Sequence, residues 1–445
     1  MARVASPSPR SLTRNPVLWV SLVYLCGVVI RILYTLKIQR PDSLLYADMG
    51  LYVDRARRIA AGVPLTAPDV TQGMGFPALL AFLIGDGRFG PAVIAQLVIS
   101  CLLPLALGLL GAAAYGRRTG LLAVVFGSLY FPFMEYGAVF LSELHMIFWM
   151  ALAWAGFMAA RRAQRRGAAL AFAAGGGLAV SIAATFKTLA LPAAVAFFIA
   201  DGIAAALSRD GAGPSTWLER LKPWVLRGAV VALAAAPVLG VMSSVCTRAS
   251  GRFCVTGKEL GHDFLLGHYG RIADIEWNGP KHEIYKFGSP SSFLRNYERH
   301  EKVPFSIGDA AANKAEAFRY IARHPGEAIV LSLDHVYDTL FGAVMWPTMN
   351  SPRWTIGAVS QFVFIVLLFV PTVLAAATVV RRGLRTALTT RTALMLAPIG
   401  ALLFTVMLAT GEVRYRIPFD IFFIAIACAY VVGDMARVDG AGPRR

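Results

Sequence analysis

Long apolar segments joined by short basic connections constrain this chain more than any other feature. Residues 91–114 and 357–380, for example, contain no charged side chain. Each is longer than the ~20 apolar residues that a helix needs to cross a bilayer. In hydrocarbon every backbone polar group must be bonded within the protein, and consecutive helices achieve this. The sequence therefore predicts an all-α polytopic membrane protein.

Composition agrees with this class and excludes others. Of 445 residues, 57% are hydrophobic and 16% are charged, and the mean hydropathy is +0.59. A soluble chain of this length would need more polar surface. The net charge of +17 lies largely in short runs of Arg and Lys between apolar segments, as in cytoplasmic loops. We therefore expect contact with membrane lipids and no nucleic-acid partner.

The pattern predicts ten transmembrane spans with both termini in the cytoplasm. Residues 1–16 are a short basic tail, and the first span is an uncleaved anchor because no small-residue cleavage site follows it. Residues 168–207 are too long for one crossing, so they are interpreted as two spans with Lys187 at the outer turn. The other spans are residues 17–36, 91–114, 119–133, 138–160, 225–245, 357–380, 392–410 and 418–434.

We expect three regions along the chain. Residues 1–245 form an N-terminal transmembrane core whose first outer loop, 37–90, is the catalytic one. Residues 246–355 form an extracytoplasmic loop with interfacial helices, and residues 356–445 form the C-terminal transmembrane helices. An amphipathic helix over 48–61, in the first outer loop, is predicted to lie in the membrane interface. In the second outer loop, Cys246 and Cys254 can form a disulfide if that loop faces an oxidising compartment.

Asp48 is the first candidate for chemistry. It lies in the loop that follows the first span directly, and it begins the amphipathic helix. A carboxylate at the membrane surface can accept a proton from a hydroxyl that attacks an electrophile. The structural alternative is a helix N-cap, in which the carboxylate accepts hydrogen bonds from the first-turn amides.

The second candidate is GEVRYRIPFD, residues 411–420. Pro418 suits the first turn of the last predicted span. This places Arg414 and Arg416 in an outer turn before a helix N-terminus, where guanidinium groups and free amides suit a phosphate. The alternative is that both side chains anchor the protein to anionic lipid head groups.

Three further charged residues lie near predicted outer turns. Glu143 lies within one or two turns of the start of the fourth span, where an ionisable group should face a cavity or a partner. Glu135, in the turn before it, is a candidate ligand of a cation or of substrate hydroxyls, and otherwise a solvated charge. Lys187 can add positive charge to a phosphate pocket, or can simply extend its ammonium to the interface.

The second outer loop contains the sequence GKELGHDFLLGHYG. His262, His268 and Tyr269 lie in it among glycines. Their spacing matches no standard set of zinc ligands. Contacts to sugar hydroxyls and an ordinary solvated loop are both open.

Several motifs together resemble one enzyme superfamily. They are YADMGLYVDRA after the first span, PFMEYGAVFLSE, Lys187 followed by Pro192, GHDFLLGHYG, RHPGEAIVLSLDHV and the closing RYRIPF. Spread over nearly the whole chain in this order, they resemble the GT-C superfamily of polyprenyl-phosphate-dependent glycosyltransferases. The nearest likeness is to the bacterial branch related to protein O-mannosyltransferases and lipid A aminoarabinose transferases.

The resemblance implies transfer of a hexosyl or pentosyl group, with inversion, from a polyprenyl-phosphate sugar to an acceptor hydroxyl outside the cytoplasm. Asp48 would be the catalytic base. Placed cations stabilise developing negative charge, so Arg414, Arg416 and Lys187 would bind the donor phosphate. The residues that would bind the rest of the substrates are Tyr52, Glu135, Glu143, His262, His268 and Tyr269.

The resemblance also implies a location and partners. The protein would span the bacterial inner membrane many times, with its active site facing the periplasm or exterior, and its acceptor would be a lipid, a glycan or a protein. Some members of the superfamily carry an adjacent acidic pair in the first loop, whereas Met49 follows Asp48 here. This departure leaves a requirement for a divalent cation open, and no other cofactor is expected.

Two other functions compete with the glycosyltransferase. A flippase or transporter of lipid-linked sugars would have charged residues along the membrane midplane, yet the ionisable groups here cluster near the outer loops. A non-catalytic subunit of an envelope polysaccharide assembly would lack a poised carboxylate. The enzyme hypothesis requires Asp48, Arg414 and Arg416 to meet at one outward-facing cavity.

Overall fold

The computed structural model describes residues 15–43, 45, 48–84, 87–207, 217–257, 260–268, 273–277, 284–287, 302–305, 310–342 and 353–438. Its helices up to the second outer loop are α1 (Pro16–Leu33), α2 (Asp48–Ala60), α3 (Gly75–Leu83), α4 (Gly90–Ala114), α5 (Arg117–Leu129), α6 (Phe131–Gly137), α7 (Glu143–Arg162), α8 (Arg166–Phe186), α9 (Ala190–Leu207) and α10 (Trp217–Ser250). The later helices are α11 (Leu260–His268), α12 (Ala310–Arg323), α13 (Pro325–Phe341), α14 (Arg353–Val363), α15 (Val370–Val380), α16 (Leu384–Leu388), α17 (Arg391–Leu408), α18 (Val413–Arg416), α19 (Asp420–Val431) and α20 (Asp434–Val438). Short 3₁₀ turns cover Pro41–Ser43, Ala67–Val70 and Ile417–Phe419, and π-helical turns cover Tyr34–Ile38 and Phe364–Phe369.

Many of these helices can cross a membrane, as the sequence predicts. Within the described ranges, eight are long and apolar enough, and a bent pair, α5 and α6, makes a ninth if it counts as one span. The predicted split around Lys187 is present, since α8 ends at Phe186 and α9 begins at Ala190. The fold class of a helical polytopic membrane protein is confirmed. The eight are Pro16–Ser43, Gly90–Ala114, Glu143–Arg162, Arg166–Phe186, Ala190–Leu207, Leu218–Ser250, Thr355–Val380 and Arg391–Leu408.

Two of the ten predicted spans are not simple crossings, and they account for the difference between ten spans and the eight helices of the described residues. The segment 119–133 bends by 57° between α5 and α6, because Pro132 begins a new helix there. The segment 418–434 forms α19, which has only 12 residues, about 18 Å of helix. Nearly all of its side chains are buried, so this helix runs inside the bundle rather than along the lipid.

The segment between α11 and α12 adds a small sheet to the helical fold. Strands β1 (Ala273–Trp277), β2 (Ile284–Phe287) and β3 (Lys302–Phe305) lie in the order β2-β1-β3. β1 pairs antiparallel with β2, with Ala273 opposite Phe287, and parallel with β3, with Asp274 opposite Lys302. Before the sheet, Cys246 and Cys254 form the disulfide that the sequence left open.

The centre of the bundle is α7, which packs against α4 and α8. Helices α7 and α8 approach closely at two glycines. A Cβ on Gly156 would lie only 3.1 Å from Cα of Gly176, so a larger residue would not fit there. Small residues allow such approach where lipid provides no hydrophobic drive for helix association. Trp154 fills the core from α7 and makes edge contacts with Phe197 and Phe422.

Helix direction sorts the charged residues to two ends of the bundle. α7 begins at Glu143 and ends at Arg162, and α8 returns from Arg166 to Phe186, just before Lys187. Glu143 and Lys187 therefore share one end, called the site end below. The basic connection of Arg162 and Arg166 lies at the other end, about 30 Å away along the helix axes.

Arg31 is a buried charge within the first span. Its side chain donates to the carbonyl oxygens of Ser100, Gly127 and Ser128 at 3.0, 2.7 and 2.6 Å. It is 1% exposed. These bonds fix α1 against α4 and α5 and satisfy a side chain that hydrocarbon would disfavour.

Candidate active site

Helix α2 carries two of the predicted site residues at its N-terminal end. Asp48 is its first residue and Tyr52 follows one turn later. Residues three and four apart share one face of a helix, and here that apolar face lies against the bundle, whereas Leu51 and Asp54 are exposed. The helix therefore holds Asp48 at the edge of the packed core. Its buried residues are Met49, Tyr52, Val53, Arg55 and Ala56.

Asp48 and Arg414 form an ion pair across almost the whole sequence. Nη1 of Arg414 lies 3.0 Å from Oδ2 of Asp48, and the two side chains are 15% and 18% exposed. Arg414 belongs to α18, a single turn after the last long span, and its Nε also lies 3.4 Å from Oε2 of Glu412. The structure thus brings one predicted phosphate-binding arginine directly to the predicted base.

Gln72 contacts the other oxygen of the same carboxylate. Its Nε2 donates to Oδ1 of Asp48 at 3.2 Å, and its Oε1 accepts from Nη1 of Arg55 at 3.0 Å. Both oxygens of Asp48 are therefore held, one by a guanidinium and one by an amide. This carboxylate is fixed in position by these two side chains.

A second ion pair lies at the site end beside the first. Nζ of Lys187 is 3.5 Å from Oε1 of Glu143, and both side chains are largely buried. Oγ of Ser142 donates to Oε2 of Glu143 at 3.3 Å and lies 3.3 Å from the hydroxyl of Tyr52. This polar chain connects α2 with the start of α7 and the end of α8, so Tyr52, Glu143 and Lys187 belong to one network.

Electrostatics link the two ion pairs. Burial by itself raises the pKa of Asp48, but the charges of Arg414 and Lys187 and the hydrogen bond from Gln72 outweigh it, so the pKa lies below its ordinary value. The carboxylate therefore stays ionised and able to accept a proton. Arg414 stays charged, since burial lowers its pKa but nearby groups, Tyr415 and Glu412 foremost, raise it well above the ordinary value.

Asp263 on α11 is a further carboxyl within this field. Burial raises its pKa to about 6, although Lys187 and Arg414 act to lower it. The negative charges of Glu412 and Asp48 contribute to the rise. The short helix of the second outer loop thus places an acid near the same two cations.

Arg416 requires a correction of the sequence-based prediction. It is 1% exposed and its Nε lies 3.0 Å from Oδ1 of Asp420. Nη1 donates to Oε1 of Gln361 at 2.7 Å, and the guanidinium lies 3.5 Å from the ring centre of Phe364. Side chains two residues apart on a helical turn project in opposite directions, so Arg416 points into the protein while Arg414 points to Asp48. The convergence expected of three residues therefore holds for Asp48 and Arg414, whereas Arg416 is engaged elsewhere and does not join them.

The remaining predicted residues lie in several environments. Glu135 on α6 is fully buried and accepts a short hydrogen bond from the hydroxyl of Tyr34. His268 ends α11, and its Nδ1 donates to the carbonyl of Phe264 at 2.7 Å. His268 is thus buried, and its hydrogen bond lies within its own helix rather than towards Asp48 or Arg414. His262 lies in α11, and Tyr269 lies outside the described residues.

The donor groups at the site do not fit a divalent cation. In the part of the chain that the structure describes, no three His, Cys, Asp or Glu side chains come together as metal ligands. Asp48 and Glu143 each face a basic side chain instead. Hard cations need several oxygen ligands, and Asp48 and Glu143, each paired with a cation of the protein, do not supply them.

Sequence reasoning missed three residues that the structure brings to the site. Glu412 and Asp263 lie within quoted motifs, GEVRYRIPFD and GHDFLLGHYG, but were passed over there. Gln72 lies in TQGMG, outside every motif considered in the sequence. Gly73 in fact permits close approach, because a Cβ there would lie 2.5 Å from the carbonyl oxygen of Thr185. This contact is visible only in the folded chain, so the sequence offers no signal for Gln72.

Comparisons with solved structures agree with this architecture. The apo form of the Archaeoglobus fulgidus oligosaccharyltransferase superposes with a TM-score of 0.54 at 11% sequence identity, over 94% of this chain and 51% of that one. Its complex with an inhibitory peptide and a dolichol-phosphate gives a TM-score of 0.51 at 11% identity, over 96% and 52%. No protein-family model matches the chain, and no curated protein matches its sequence.

The chain therefore shares its fold with the archaeal oligosaccharyltransferase. It spans about half the length of the structures that it matches.

Proposed function

We propose that this protein is an integral membrane glycosyltransferase that transfers a hexosyl or pentosyl group from a polyprenyl-phosphate donor to an acceptor hydroxyl. The observation that carries the proposal is the 3.0 Å contact between Asp48 and Arg414 at the site end of a GT-C bundle. A base and a phosphate-binding cation are the two groups that such a transfer requires. The similar archaeal structures include one solved with dolichol-phosphate, which supports a lipid phosphate as the donor's carrier.

Asp48 acts as the general base. The acceptor oxygen forms a bond to the anomeric carbon of the sugar while the bond from that carbon to the phosphate oxygen breaks. The hydroxyl proton passes to the carboxylate of Asp48, and the electron pair leaves with the polyprenyl phosphate. Attack from the face opposite the leaving group inverts the anomeric configuration. A depressed pKa, as the nearby charges give Asp48, keeps the base ionised.

Arg414 stabilises the phosphate as it leaves. A guanidinium has five N–H donors, enough to contact Asp48 and bind phosphate oxygens as well. Lys187 adds a second positive charge from the turn between α8 and α9. Because both cations are largely buried, water screens their charge weakly and they act strongly where negative charge develops.

The remaining polar groups of the site shape the substrate pocket. Tyr52, Ser142 and Glu143 form the chain that leads from α2 to Lys187, and we assign Tyr52 and Glu143 to sugar or acceptor hydroxyls. Asp263 approaches the same charges from the second outer loop. The acceptor class stays open among lipids, glycans and proteins.

We infer that the site end faces the outside of the cell, as in the periplasm next to a bacterial inner membrane. The basic connection between α7 and α8 lies at the opposite end, and such connections mark the cytoplasmic side. The disulfide between Cys246, in the last turns of α10, and Cys254 packs on the α2–α3 loop next to the site, and disulfides persist in oxidising compartments. Charge and redox chemistry thus support the same orientation.

Transfer by purified protein in proteoliposomes tests the proposal. The donors are radiolabelled undecaprenyl-phosphate glucose, mannose, galactose and arabinose, and the acceptors are envelope fractions of source cells that lack the gene. We expect at least one donor to label the envelope fraction with stoichiometric release of undecaprenyl phosphate. A transporter would move the donor between leaflets and release no undecaprenyl phosphate.

Two carboxyl-to-amide variants of α2 form the matched control. Asp48→Asn removes the base, and we expect turnover to fall by about 10²–10⁴-fold, the usual contribution of general base catalysis. Asp54→Asn changes an exposed carboxylate on the same helix, whose partner Arg57 is 3.7 Å away in solvent, and should keep full activity. Undiminished turnover by Asp48→Asn would remove that residue from the mechanism.

A further inference from the structure

Gln72 lies between a base and a cation, and the chemistry of its neighbours fixes how its amide is oriented. Arg55 can only donate hydrogen bonds, so the atom it meets must be the amide oxygen. An ionised carboxylate can only accept, so the atom that faces Asp48 must be the amide nitrogen. The observed contacts, 3.0 Å from Arg55 to Oε1 and 3.2 Å from Nε2 to Asp48, satisfy both requirements.

Arg55 is itself held in place by hydrogen bonds to the loop between α2 and α3. Its side chain is largely buried, and Nη2 donates to the carbonyl of Pro68 and to Oγ1 of Thr71 at 3.3 and 3.4 Å. Arg55 therefore binds the loop between α2 and α3 at two points, Pro68 and Thr71. One arginine both shapes that loop and sets the amide of Gln72.

The loop is also supported from the opposite side. Gly73 lies directly on the last turn of α8, as the contact of its Cβ position with Thr185 requires. Val70 and Met74 pack with the disulfide of Cys246 and Cys254 in a small buried cluster. Gln72 is thus held between two packed neighbours of the loop, with little freedom to turn away from Asp48.

We propose that Gln72, oriented by Arg55, is a positioning residue that holds Asp48 in its ionised, acceptor-only form and aims its second oxygen at the acceptor hydroxyl. This inference rests on the proposed function, since it assigns Gln72 to the base of that reaction. Gln72 itself contacts no reacting atom in this role; it acts through Asp48.

Other charged groups near Asp48 also affect whether its carboxyl is protonated. Arg414 and Glu412 approach from the segment before the last helix, Lys187 from the end of α8 and Asp263 from α11. The two cations favour the ionised carboxylate, and the negative charge of Asp263 opposes it. Replacing the amide nitrogen of Gln72 by a carboxylate oxygen changes this balance with almost no change in shape.

Carbodiimide labelling tests the proposal without any substrate. Dicyclohexylcarbodiimide reacts with protonated carboxyls in apolar surroundings, so the pH at which half of Asp48 is labelled, measured by peptide mass spectrometry, reports its protonation. Gln72→Glu places a second acceptor opposite Asp48, and we expect the labelling midpoint to rise by about one pH unit or more. Gln72→Met, which keeps the shape and loses the donor, should raise it by less.

Arg55→Gln and Arg58→Gln separate orientation from loop stability. Both arginines hold the same loop, but Arg58 pairs with Asp69 at 2.6 Å and its hydrogen bonds run to that carboxylate and to Pro64. Arg55→Gln should raise the midpoint of Asp48 because the amide of Gln72 is then free to turn. Arg58→Gln should leave the midpoint at the wild-type value even if the loop is less stable.

The outcomes decide the two proposals separately. A midpoint of Asp48 that is the same in wild type, Gln72→Glu and Gln72→Met would overturn the positioning role. With an active donor in hand, Gln72→Glu should also move the acidic limb of the kcat/KM profile upward by the same amount, which a merely structural residue would not do. If wild type transfers no sugar, the proposed function fails while the labelling midpoints still decide the role of Gln72.

Discussion

Replacing Arg414 by glutamine should separate the two tasks that its guanidinium performs. At an effective dielectric constant of about 20, unit charges about 4 Å apart attract each other by about 4 kcal/mol. The Asp48–Arg414 pair has an N–O distance of 3.0 Å and side chains only 18% and 15% exposed, so water screens little of this attraction. Lys187 and Gln72 remain in the variant. Loss of one opposite charge then raises the pKa of Asp48 by about 1–3 units.

The sign of the pH effect follows from the role of a base. Asp48 accepts a proton only when ionised, so activity is lost as pH falls through its pKa. Because Arg414→Gln raises that pKa, the acidic limb of the kcat/KM profile should move to higher pH by about 1–3 units. The maximal rate should also fall by about 10²–10³-fold, the usual cost of one charge-stabilising donor.

The assay is sugar transfer from the active polyprenyl-phosphate donor, measured between pH 4.5 and pH 9. Arg40→Gln is the matched control, since Arg40 is 54% exposed and pairs with Asp42 a few residues before Asp48. The pH profile of this variant should coincide with that of wild type. Arg414→Lys keeps the charge but not the fork geometry, so it should restore the acidic limb while recovering only part of the rate. A profile of Arg414→Gln with an unmoved limb would refute the reasoning.

Three further predictions follow from other contacts. Arg416→Met leaves the buried carboxylate of Asp420 without its cation, with the hydroxyl of Tyr130 as its remaining partner. It should lower the free energy of unfolding by about 3–5 kcal/mol, measured as loss of thermal stability in detergent. Joint replacement of Cys246 and Cys254 by serine should speed amide exchange in the α2–α3 loop, which packs on that disulfide, while exchange at the basic end of α7 stays unchanged. Burial raises the pKa of Asp263 to about 6, so the docking of α11 is strongest below the ordinary carboxyl pKa and weakens as pH rises through 6. The measurement is amide hydrogen exchange in α11 against pH, corrected for the intrinsic exchange rate. Asp263→Asn should abolish this pH dependence.

Local patterns in the sequence predict much of this fold. The amphipathic helix expected over 48–61 is α2, and the interpretation of Lys187 as a turn between two spans matches the start of α9. Both follow from helix periodicity and bilayer thickness, which act on neighbouring residues. The bend at Pro132 and the short α19 depend instead on how helices pack inside the bundle, which the hydropathy of one segment does not record.

The site was predictable to a different degree. Asp48 and Arg414 are 366 residues apart, and only the resemblance to a superfamily suggested that they meet. The inward turn of Arg416 follows from helix geometry once 413–416 is known to be helical, but the motif was interpreted as an open turn. Gln72 carries no charge and belongs to no motif, so its position next to Asp48 becomes visible only when the chain is folded.

The three carbonyls that hold Arg31 also bear on how the protein is made. Ser100, Gly127 and Ser128 are synthesised well after the first helix has left the ribosome. An unpaired arginine within a membrane helix is costly, by up to about 2.5–3.5 kcal/mol at the helix centre on insertion scales. Until α4 and α5 arrive, α1 is therefore poorly suited to lipid, and its stable integration waits for the helices that follow it.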